Sequence, residues 1–383
     1  MHTLRAPRAA SLAIVAAMSV TAIAACGTNS STTSSTSSGS AAATSGSGSA
    51  SASASESASS AGAGGGKIAL LLPESKTTRY ETFDRPLFEA AVKAACADCE
   101  ILYSNADQDA AKQQQQAEAA LTQGAKVLVL DAVDGKSAQT IVANAKGQGV
   151  KVIAYDRFVA GSDYYVSFDN KKVGELQGTG LVDALKAAGK TSGDIVMING
   201  SPTDANAADF KAGAHSVLDK SGFTIKAEYD TPDWSPDKAQ TWMESQLSAV
   251  KSGLVGVYAA NDGTAGGAIA ALKGGGVDPL PPVTGQDAEL AAIQRVISGD
   301  QALTIYKAIK PEAEDAAKNA VALAGGGAVT SSTDKDGVPS TLLEPVVVTK
   351  DNIMDTIVAD GFYTVTDICT GEFAAACTAA GIK

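Results

Sequence analysis

The chain has 383 residues, of which 42 are acidic and 30 are Lys or Arg, and its formal net charge at pH 7 is −12. This acidic balance argues against nucleic acid and against peripheral binding to anionic lipid, because both favour a basic surface. The length allows two domains, each with a core of its own.

The N-terminus reads as an export signal rather than as part of a fold. Arg5 and Arg8 form a basic region, and the apolar run behind them is too short to span a membrane and ends in Ile-Ala-Ala-Cys at Cys26. That ending resembles the bacterial lipobox, whose cysteine receives a lipid. We predict a lipoprotein signal peptide over 1–25, then the lipidated Cys26 and a disordered Ser/Gly/Ala tether within 26–66, so the protein would be extracytoplasmic and held at the cell membrane by its lipid alone. An ordinary signal peptide with an incidental cysteine is the alternative.

From residue 67 the sequence alternates short β-branched runs with amphipathic stretches, which is typical of parallel βαβ units. Helical patterns occupy about 87–95, 173–185 and 236–250. The strand candidates are 68–72, 101–103, 127–130, 152–155, 195–198, 225–229, 254–259, 283–284 and 303–306.

Nine strands are more than one doubly wound sheet comfortably holds. We therefore predict an α/β fold of two doubly wound parallel-sheet lobes. The boundary is expected near Phe168 and Asp169. A return to the first lobe is expected after Lys307, so the chain would cross between the lobes more than once.

Four further cysteines fit an oxidising exterior: Cys96, Cys99, Cys369 and Cys377. Four cysteines allow three pairings. The short spacings favour the two local disulfides, Cys96–Cys99 and Cys369–Cys377. The first pair also has the spacing of a redox CxxC motif, but it follows a helix instead of starting one, where the helix dipole would lower the thiol pKa. A structural disulfide is the favoured interpretation.

In open parallel sheets, ligands bind beyond the carboxyl ends of the strands. Nearly every predicted strand is followed there by a charge, an amide or an aromatic ring. The set is Arg79, Tyr80, Asp156, Arg157, Asp204, Asn206, Trp234, Asn261, Asp262, Gln286, Asp287 and Lys307. Such groups match the hydroxyls and the C–H faces of a sugar. Taken singly they could be turn residues, local ion pairs or core residues, and their coincidence is what favours a binding site.

Signals of an enzyme are weak. His215 is the only histidine beyond the leader, and the sequence contains no GxSxG, P-loop or GxGxxG motif. We predict no catalytic residues, no metal site and no cofactor. A glycosidase with Asp156 and Asp287 as its carboxylate pair is the alternative, but cationic neighbours favour a hydrogen-bonding role for both.

Six blocks of sequence carry a family resemblance that extends from Lys67 to about Phe362. They run over 152–157, 166–177, 200–206, 261–269, 285–290 and 304–307. On these blocks the chain resembles the ribose/galactose-type (cluster B) family of ABC sugar-binding proteins, and within it the D-xylose-binding branch. The resemblance implies a periplasmic binding protein type I fold with a three-crossing hinge. Its N-terminal lobe would hold 67–168 and about 308–343, and its C-terminal lobe 169–307 and about 344–383.

The resemblance also assigns roles in a cleft between the lobes. Tyr80 and Trp234 would stack on a monosaccharide, most closely D-xylose, while Arg79, Asp156, Arg157, Asn206, Asn261, Asp287 and Lys307 would hydrogen-bond it. A monomer would deliver the sugar to an ABC permease with its ATPase. A sensor that presents its closed form to a membrane receptor is the alternative.

Three features depart from the xylose-binding pattern. Tyr80 stands where that branch has Trp, and Ala308 stands where it has Pro after the lysine. The C-terminal segment that holds Cys369 and Cys377 has no counterpart in that pattern.

Overall fold

A computed structural model describes residues 65–382. The predicted signal peptide, Cys26 and the tether up to residue 64 lie outside the described residues. The strands, numbered in chain order, are β1 Lys67–Leu72, β2 Glu100–Asn105, β3 Ala125–Leu130, β4 Lys151–Tyr155, β5 Tyr164–Phe168, β6 Asp194–Asn199, β7 Thr224–Asp230, β8 Leu254–Ala259, β9 Thr304–Tyr306, β10 Thr333–Lys335, β11 Val338–Leu343 and β12 Val346–Val348.

The α-helices lie between these strands and after the last of them. They are α1 Arg85–Ala95, α2 Ala110–Thr122, α3 Ala138–Gly147, α4 Asn170–Ala187, α5 Ala205–Leu218, α6 Pro236–Val250, α7 Asp262–Gly274, α8 Leu290–Ser298, α9 Ile309–Ala324, α10 Val365–Ile368 and α11 Ala374–Ala379. Within the described part of the chain, each helix is too short or too polar to cross a membrane.

The first lobe is a seven-stranded sheet with the order β10-β11-β5-β4-β3-β1-β2. All neighbours are parallel except the edge pair β10–β11. The strand β1 reads KIALLL and is buried along nearly its whole length, because helices cover both faces of a parallel sheet. Helices α2 and α3 cover one face, and α1 and α9 cover the other.

The second lobe is built on the parallel order β7-β6-β8. Single bridges, Val257 to Val283 and Gln286 to Ile305, extend it towards β9, which pairs antiparallel with β12. Helices α4 and α5 pack on one face and α6 and α7 on the other. Gly174 and Gly213 allow α4 and α5 to approach closely, since a Cβ at either position would lie about 2 Å from a backbone oxygen of the other helix.

The chain crosses between the lobes three times. It passes from β5 to α4, returns from β9 to α9, and crosses again from β11 to β12. The expectation of two α/β lobes with parallel sheets and a three-crossing hinge is confirmed.

The strand predictions differ from the structure in two ways. The predicted strand 283–284 is reduced to one isolated bridge at Val283. The sequence reading also missed β5 and the three short strands β10, β11 and β12.

Two disulfides join cysteines that are close in sequence. Cys96 bonds Cys99 directly after α1, and Cys369 bonds Cys377 in the C-terminal segment. The second bond ties the short helices α10 and α11 together where they pack against α8. It therefore closes a small C-terminal unit on the second lobe.

Candidate functional site

A cavity lies between the two lobes at the carboxyl ends of their strands. It contains about 270 Å³ of space, a figure that includes open solvent at its mouth. No lining residue is more than 6% exposed. The lining is Thr77, Arg79, Tyr80, Asp156, Arg157, Asp204, Asn206, Phe210, Trp234, Asn261, Gln286, Asp287 and Lys307.

All nine residues predicted to bind a ligand lie in this lining. The sequence places Asp204 and Gln286 after strands but assigns them no role, and it does not identify Thr77 and Phe210. Asp262, also noticed after a strand, does not line the cavity and instead accepts hydrogen bonds from Gln301 and Thr304.

Unusual backbone conformations set the direction in which several of these side chains leave the backbone. Asp156 follows β4 with a φ of 52°, Trp234 has a φ of 52°, and Asp287 has a φ of 91°. Positive φ is uncommon for residues other than glycine and costs of order 1–3 kcal/mol, and it concentrates at ligand sites. At Asp156 the strain is held by three hydrogen bonds to its carbonyl oxygen, from Tyr165, Ser167 and Asn206.

Helix caps fix two more of the polar groups. Asp204 caps α5 by accepting from the Asn206 backbone N–H, and Asn261 caps α7 by accepting from Thr264. Since the cap occupies the Asn261 side-chain oxygen, its amide N–H groups are the part that can donate to a ligand. Within residues 65–382 the Gln286 side-chain oxygen is buried without a hydrogen-bond partner, so it is an available acceptor.

Arg79 and Lys307 form one charge network with the carboxylates around them. Arg79 pairs with Asp84 at 2.7 Å, Glu312 at 2.8 Å and Asp156 at 3.2 Å. Lys307 pairs with Asp156 at 3.3 Å and Asp287 at 3.4 Å. Two cations face four carboxylates in this network, and burial raises the pKa of Glu312 well above its ordinary value, which reduces the excess of negative charge. Charged donors and acceptors held in this way suit a neutral ligand rich in hydrogen-bonding groups.

Burial and neighbouring charges act on the pKa values of this network in opposite directions. Burial raises the pKa of Asp156, but Arg79, Lys307 and Arg157 outweigh it and lower that pKa to about 2. Burial likewise opposes the charge on Lys307, yet Asp156 and Asp287 raise its pKa. Asp156 is therefore a carboxylate at neutral pH and is poorly suited to act as the general acid that a glycosidase needs.

A second network joins the aromatic walls across the lobes. Arg157 donates to the Tyr80 hydroxyl at 3.1 Å and pairs with Asp204 at 3.0 Å. Asp204 in turn accepts from the indole N–H of Trp234 at 3.0 Å. Asp204 thus fixes the Trp234 ring and holds Arg157 from the opposite lobe. Sequence reasoning noticed its position but could not show this pairing.

The Trp234 ring lies against the backbone of Gly200. A Cβ at that position would lie 2.0 Å from the ring, so only glycine leaves room for it. The edge of the neighbouring Phe210 completes this wall, with ring centroids 6.3 Å apart. In the described residues, no group of three or more His, Cys, Asp or Glu side chains is arranged to hold a metal ion.

Comparison with known proteins gives a consistent result. Residues 68–328 match the model of the family described as periplasmic binding protein domain. The chain is 37% identical over 307 residues to the D-xylose-binding periplasmic protein of Escherichia coli, covering 78% of this chain and 91% of that protein. It is 38% identical over 284 residues to the multiple sugar-binding periplasmic protein SbpA of Azospirillum brasilense, covering 68% and 80%.

A solved structure is similar over most of this chain. It is an ABC transporter solute-binding protein from Clostridium phytofermentans with bound β-D-glucose, with a TM-score of 0.72 and 29% identity, covering 79% of this chain and 99% of that one. The predicted family resemblance is confirmed. The chain belongs to the periplasmic binding protein domain family, among relatives that bind sugars.

Proposed function

We propose that this protein is the extracytoplasmic sugar-binding component of an ABC importer and that it captures one monosaccharide in the interlobe cavity. The observation that supports this best is the cavity lining itself. Charged, amide and aromatic side chains from both lobes converge on a space of about 270 Å³. A ligand there would touch both lobes at once.

The chemistry of the lining suits a sugar. Hydroxyl groups donate and accept, so they can bond to Asp156 and Asp287 as acceptors and to Arg79, Lys307 and the Asn261 amide as donors. Aromatic faces can cover the C–H patches of a sugar ring. The ring planes belong to Tyr80, Trp234 and Phe210.

We propose D-xylose as the preferred ligand. The E. coli relative is named for that sugar, and this chain is 37% identical to it over 307 residues. Glucose and other hexoses are the competitors, because the C. phytofermentans structure holds β-D-glucose and the A. brasilense relative is named for multiple sugars. Tyr80 is the lining residue at which the stacking surface departs from the xylose-binding pattern.

Binding would be coupled to closure of the lobes. Asn206 donates to the Asp156 carbonyl at 2.9 Å and Gly135 donates to Thr203 at 3.1 Å, both across the cleft. A ligand that contacts both lobes favours the closed form over the open one. Hydrogen bonds to charged groups contribute about 1.5–3 kcal/mol each, so two or three that form on closure add about 5 kcal/mol to the stability of the closed form relative to the open one.

The proposal also assigns segments of the chain to the two lobes and to the membrane anchor. Residues 67–168 with about 308–343, and 169–307 with about 344–383, would move as two bodies. Lipidation at Cys26 would keep both near the membrane permease and its ATPase. Replacing Cys26→Ser should release the protein from the membrane fraction, and retention of the variant there would contradict the anchor.

Calorimetric titration with xylose, ribose, arabinose, glucose and galactose tests the ligand. We expect xylose to bind most tightly and Trp234 fluorescence to change on binding. Absence of binding to all five sugars would refute the proposed function.

Two variants test the site itself. Arg157→Ala and Asp287→Ala should each weaken binding by at least about 10-fold, since each removes a charged hydrogen-bonding group. Arg85→Ala and Asp300→Ala remove the same charges from exposed pairs outside the cavity and serve as matched controls. Unchanged affinity in both cavity variants would refute the site assignment.

A further inference from the structure

The lobes also meet outside the cavity, through the C-terminal segment 349–382. This segment packs on the second lobe, where Ile353, Ile357 and Ile368 join the buried cluster around α8. Gln294 of α8 donates to the Ile368 carbonyl at 3.2 Å, and the Cys369–Cys377 disulfide closes the end of the segment. The segment is therefore fixed to the second lobe.

One ring of the first lobe lies among rings of this segment. Phe83 belongs to the turn Tyr80–Asp84, which runs into α1. It stacks on Phe362 with centroids 4.1 Å apart and planes at 20°, and it meets Tyr363 edge-on at 5.6 Å. Phe362 in turn contacts Tyr306 of β9 at 5.1 Å. An aromatic contact thus joins the two lobes in the closed arrangement.

The contact is adjacent in sequence to both walls of the cavity. Phe83 is three residues after Tyr80 and directly precedes Asp84, the partner of Arg79. On the other side, Phe362 touches the residue before Lys307. A backbone N–H of the first lobe, at Thr78, also reaches Glu289 of the second lobe at 3.4 Å. All these groups lie where the two lobes meet.

We propose that Phe83 and Phe362 form an aromatic latch that stabilises the closed arrangement of the lobes and thereby sets ligand affinity. The effect on affinity rests on the proposed function, but the effect on closure does not. Offset aromatic pairs contribute beyond their buried area by an amount equal to about a 2- to 10-fold change in an equilibrium constant. Both rings are half-buried, and they belong to different lobes, so their stacking depends on closure.

Phe83→Ala, Phe362→Ala and the double variant test the latch in the full-length protein. Amide hydrogen exchange without sugar reports on opening through the cleft-edge segments 77–84 and 200–206, and calorimetry gives the xylose affinity. Each single variant should speed exchange and weaken affinity about 2- to 10-fold. The double variant should change both quantities by less than the sum of the two single changes, because the Phe83–Phe362 stack is lost in all three.

A matched control is the stack of Tyr229 on Trp242, with centroids 5.2 Å apart and planes at 6°, which lies within the second lobe. Tyr229→Ala removes a stacked ring without touching the lobe contact, so cleft-edge exchange and affinity should stay as in the wild type. Phe362→Leu keeps apolar bulk but removes the ring, and it serves if the alanine variants fail to fold.

The outcomes separate the latch from the proposed function. Normal exchange and affinity in the latch variants, or additive changes in the double variant, would overturn the latch. Faster exchange in a protein that binds none of the tested sugars would support the latch and refute the sugar-binding proposal.

Discussion

Asp156 bridges the two buried cations of the cavity, and Asp156→Asn removes its charge while keeping its shape. The wild-type carboxylate lies 3.2 Å from Arg79 and 3.3 Å from Lys307. In the variant Arg79 keeps Asp84 and Glu312, whereas Lys307 keeps only Asp287 among its pairs in the described residues. The variant should therefore be less stable than the wild type, while the remaining ion pairs of Arg79 and Lys307 stay in place.

The magnitude follows from the pKa of Asp156. Its folded pKa is about 2, against an ordinary value of 3.8, and each unit of pKa corresponds to about 1.4 kcal/mol. The charged form thus contributes about 2 kcal/mol to the free energy of unfolding. Removing one partner of a buried ion pair costs about 3–5 kcal/mol, and the partners that remain place this variant near the lower end.

The sign of the pH dependence is fixed by the lowered pKa. The contribution is fully present above the ordinary pKa of 3.8 and is lost as the pH falls towards about 2. The difference in unfolding free energy between wild type and Asp156→Asn should therefore be about 2–3 kcal/mol at pH 7. That difference should shrink as the pH falls below 4.

Urea denaturation at pH 7, 4 and 2.5, followed by fluorescence, measures this difference. The two proteins can be compared if their unfolding free energies fall with urea concentration at equal slopes. All other titrating groups are shared, so they cancel to first order. Asp300→Asn, which removes an exposed carboxylate paired with Lys273 at 2.7 Å, should cost less than about 1 kcal/mol. A difference for Asp156→Asn that stays constant from pH 7 to 2.5 would refute the reasoning.

Three further predictions concern other parts of the protein. Burial lowers the pKa of His215, but hydrogen bonds to Asp219 and Glu228 outweigh it and raise that pKa, so His215→Gln should destabilise the fold more at pH 5 than at pH 9 in urea titrations. Gly200→Ala should displace the Trp234 ring, shift its fluorescence and weaken sugar binding by at least about 10-fold in calorimetry. The double variant Cys369→Ser/Cys377→Ser should lower the free energy of local opening of 364–382 by about 2–3 kcal/mol, measured by hydrogen exchange.

Each of these predictions has an outcome that contradicts it. For His215 it is an equal or larger effect at pH 9, since a raised pKa stabilises the fold below the ordinary value of 6.5 and loses that effect as the pH rises. For Gly200 it is wild-type affinity, with Gly274→Ala, which has open space around its Cβ, as the control. For the disulfide, the contradicting outcome is hydrogen exchange of residues 364–382 that is the same in the double variant as in the wild type.

The sequence predicted those strands whose position depends on local pattern alone. Central parallel strands such as β1, β3 and β8 are buried on both faces, so they appear as apolar runs and were placed to within two residues. The strand β5 was missed because only eight residues separate it from β4, too few for the helical crossover that the pattern led us to expect. Its pairing with β11 depends on residues 175 positions later, as in the pair Tyr165 and Ser340.

The binding site was predictable for a similar reason. Residues directly after strands, such as Asp156 and Asp287, reach the cavity by the topology of the sheet. Phe210 lies in the middle of α5, and only the packing of that helix brings it to the lining. The role of Asp204 depends on Arg157 from the other lobe, a contact that no local pattern contains.

The three crossings also determine when each lobe can fold during synthesis. The first lobe needs α9, whose Ala313, Ala316 and Ala320 fill one face of its sheet, and it needs β11 beside β5. Neither exists until more than 300 residues have been made. Until then α1 alone covers its share of that apolar face, so the nascent first lobe cannot complete its core. The first lobe can therefore reach its complete fold only after most of the chain has been synthesised.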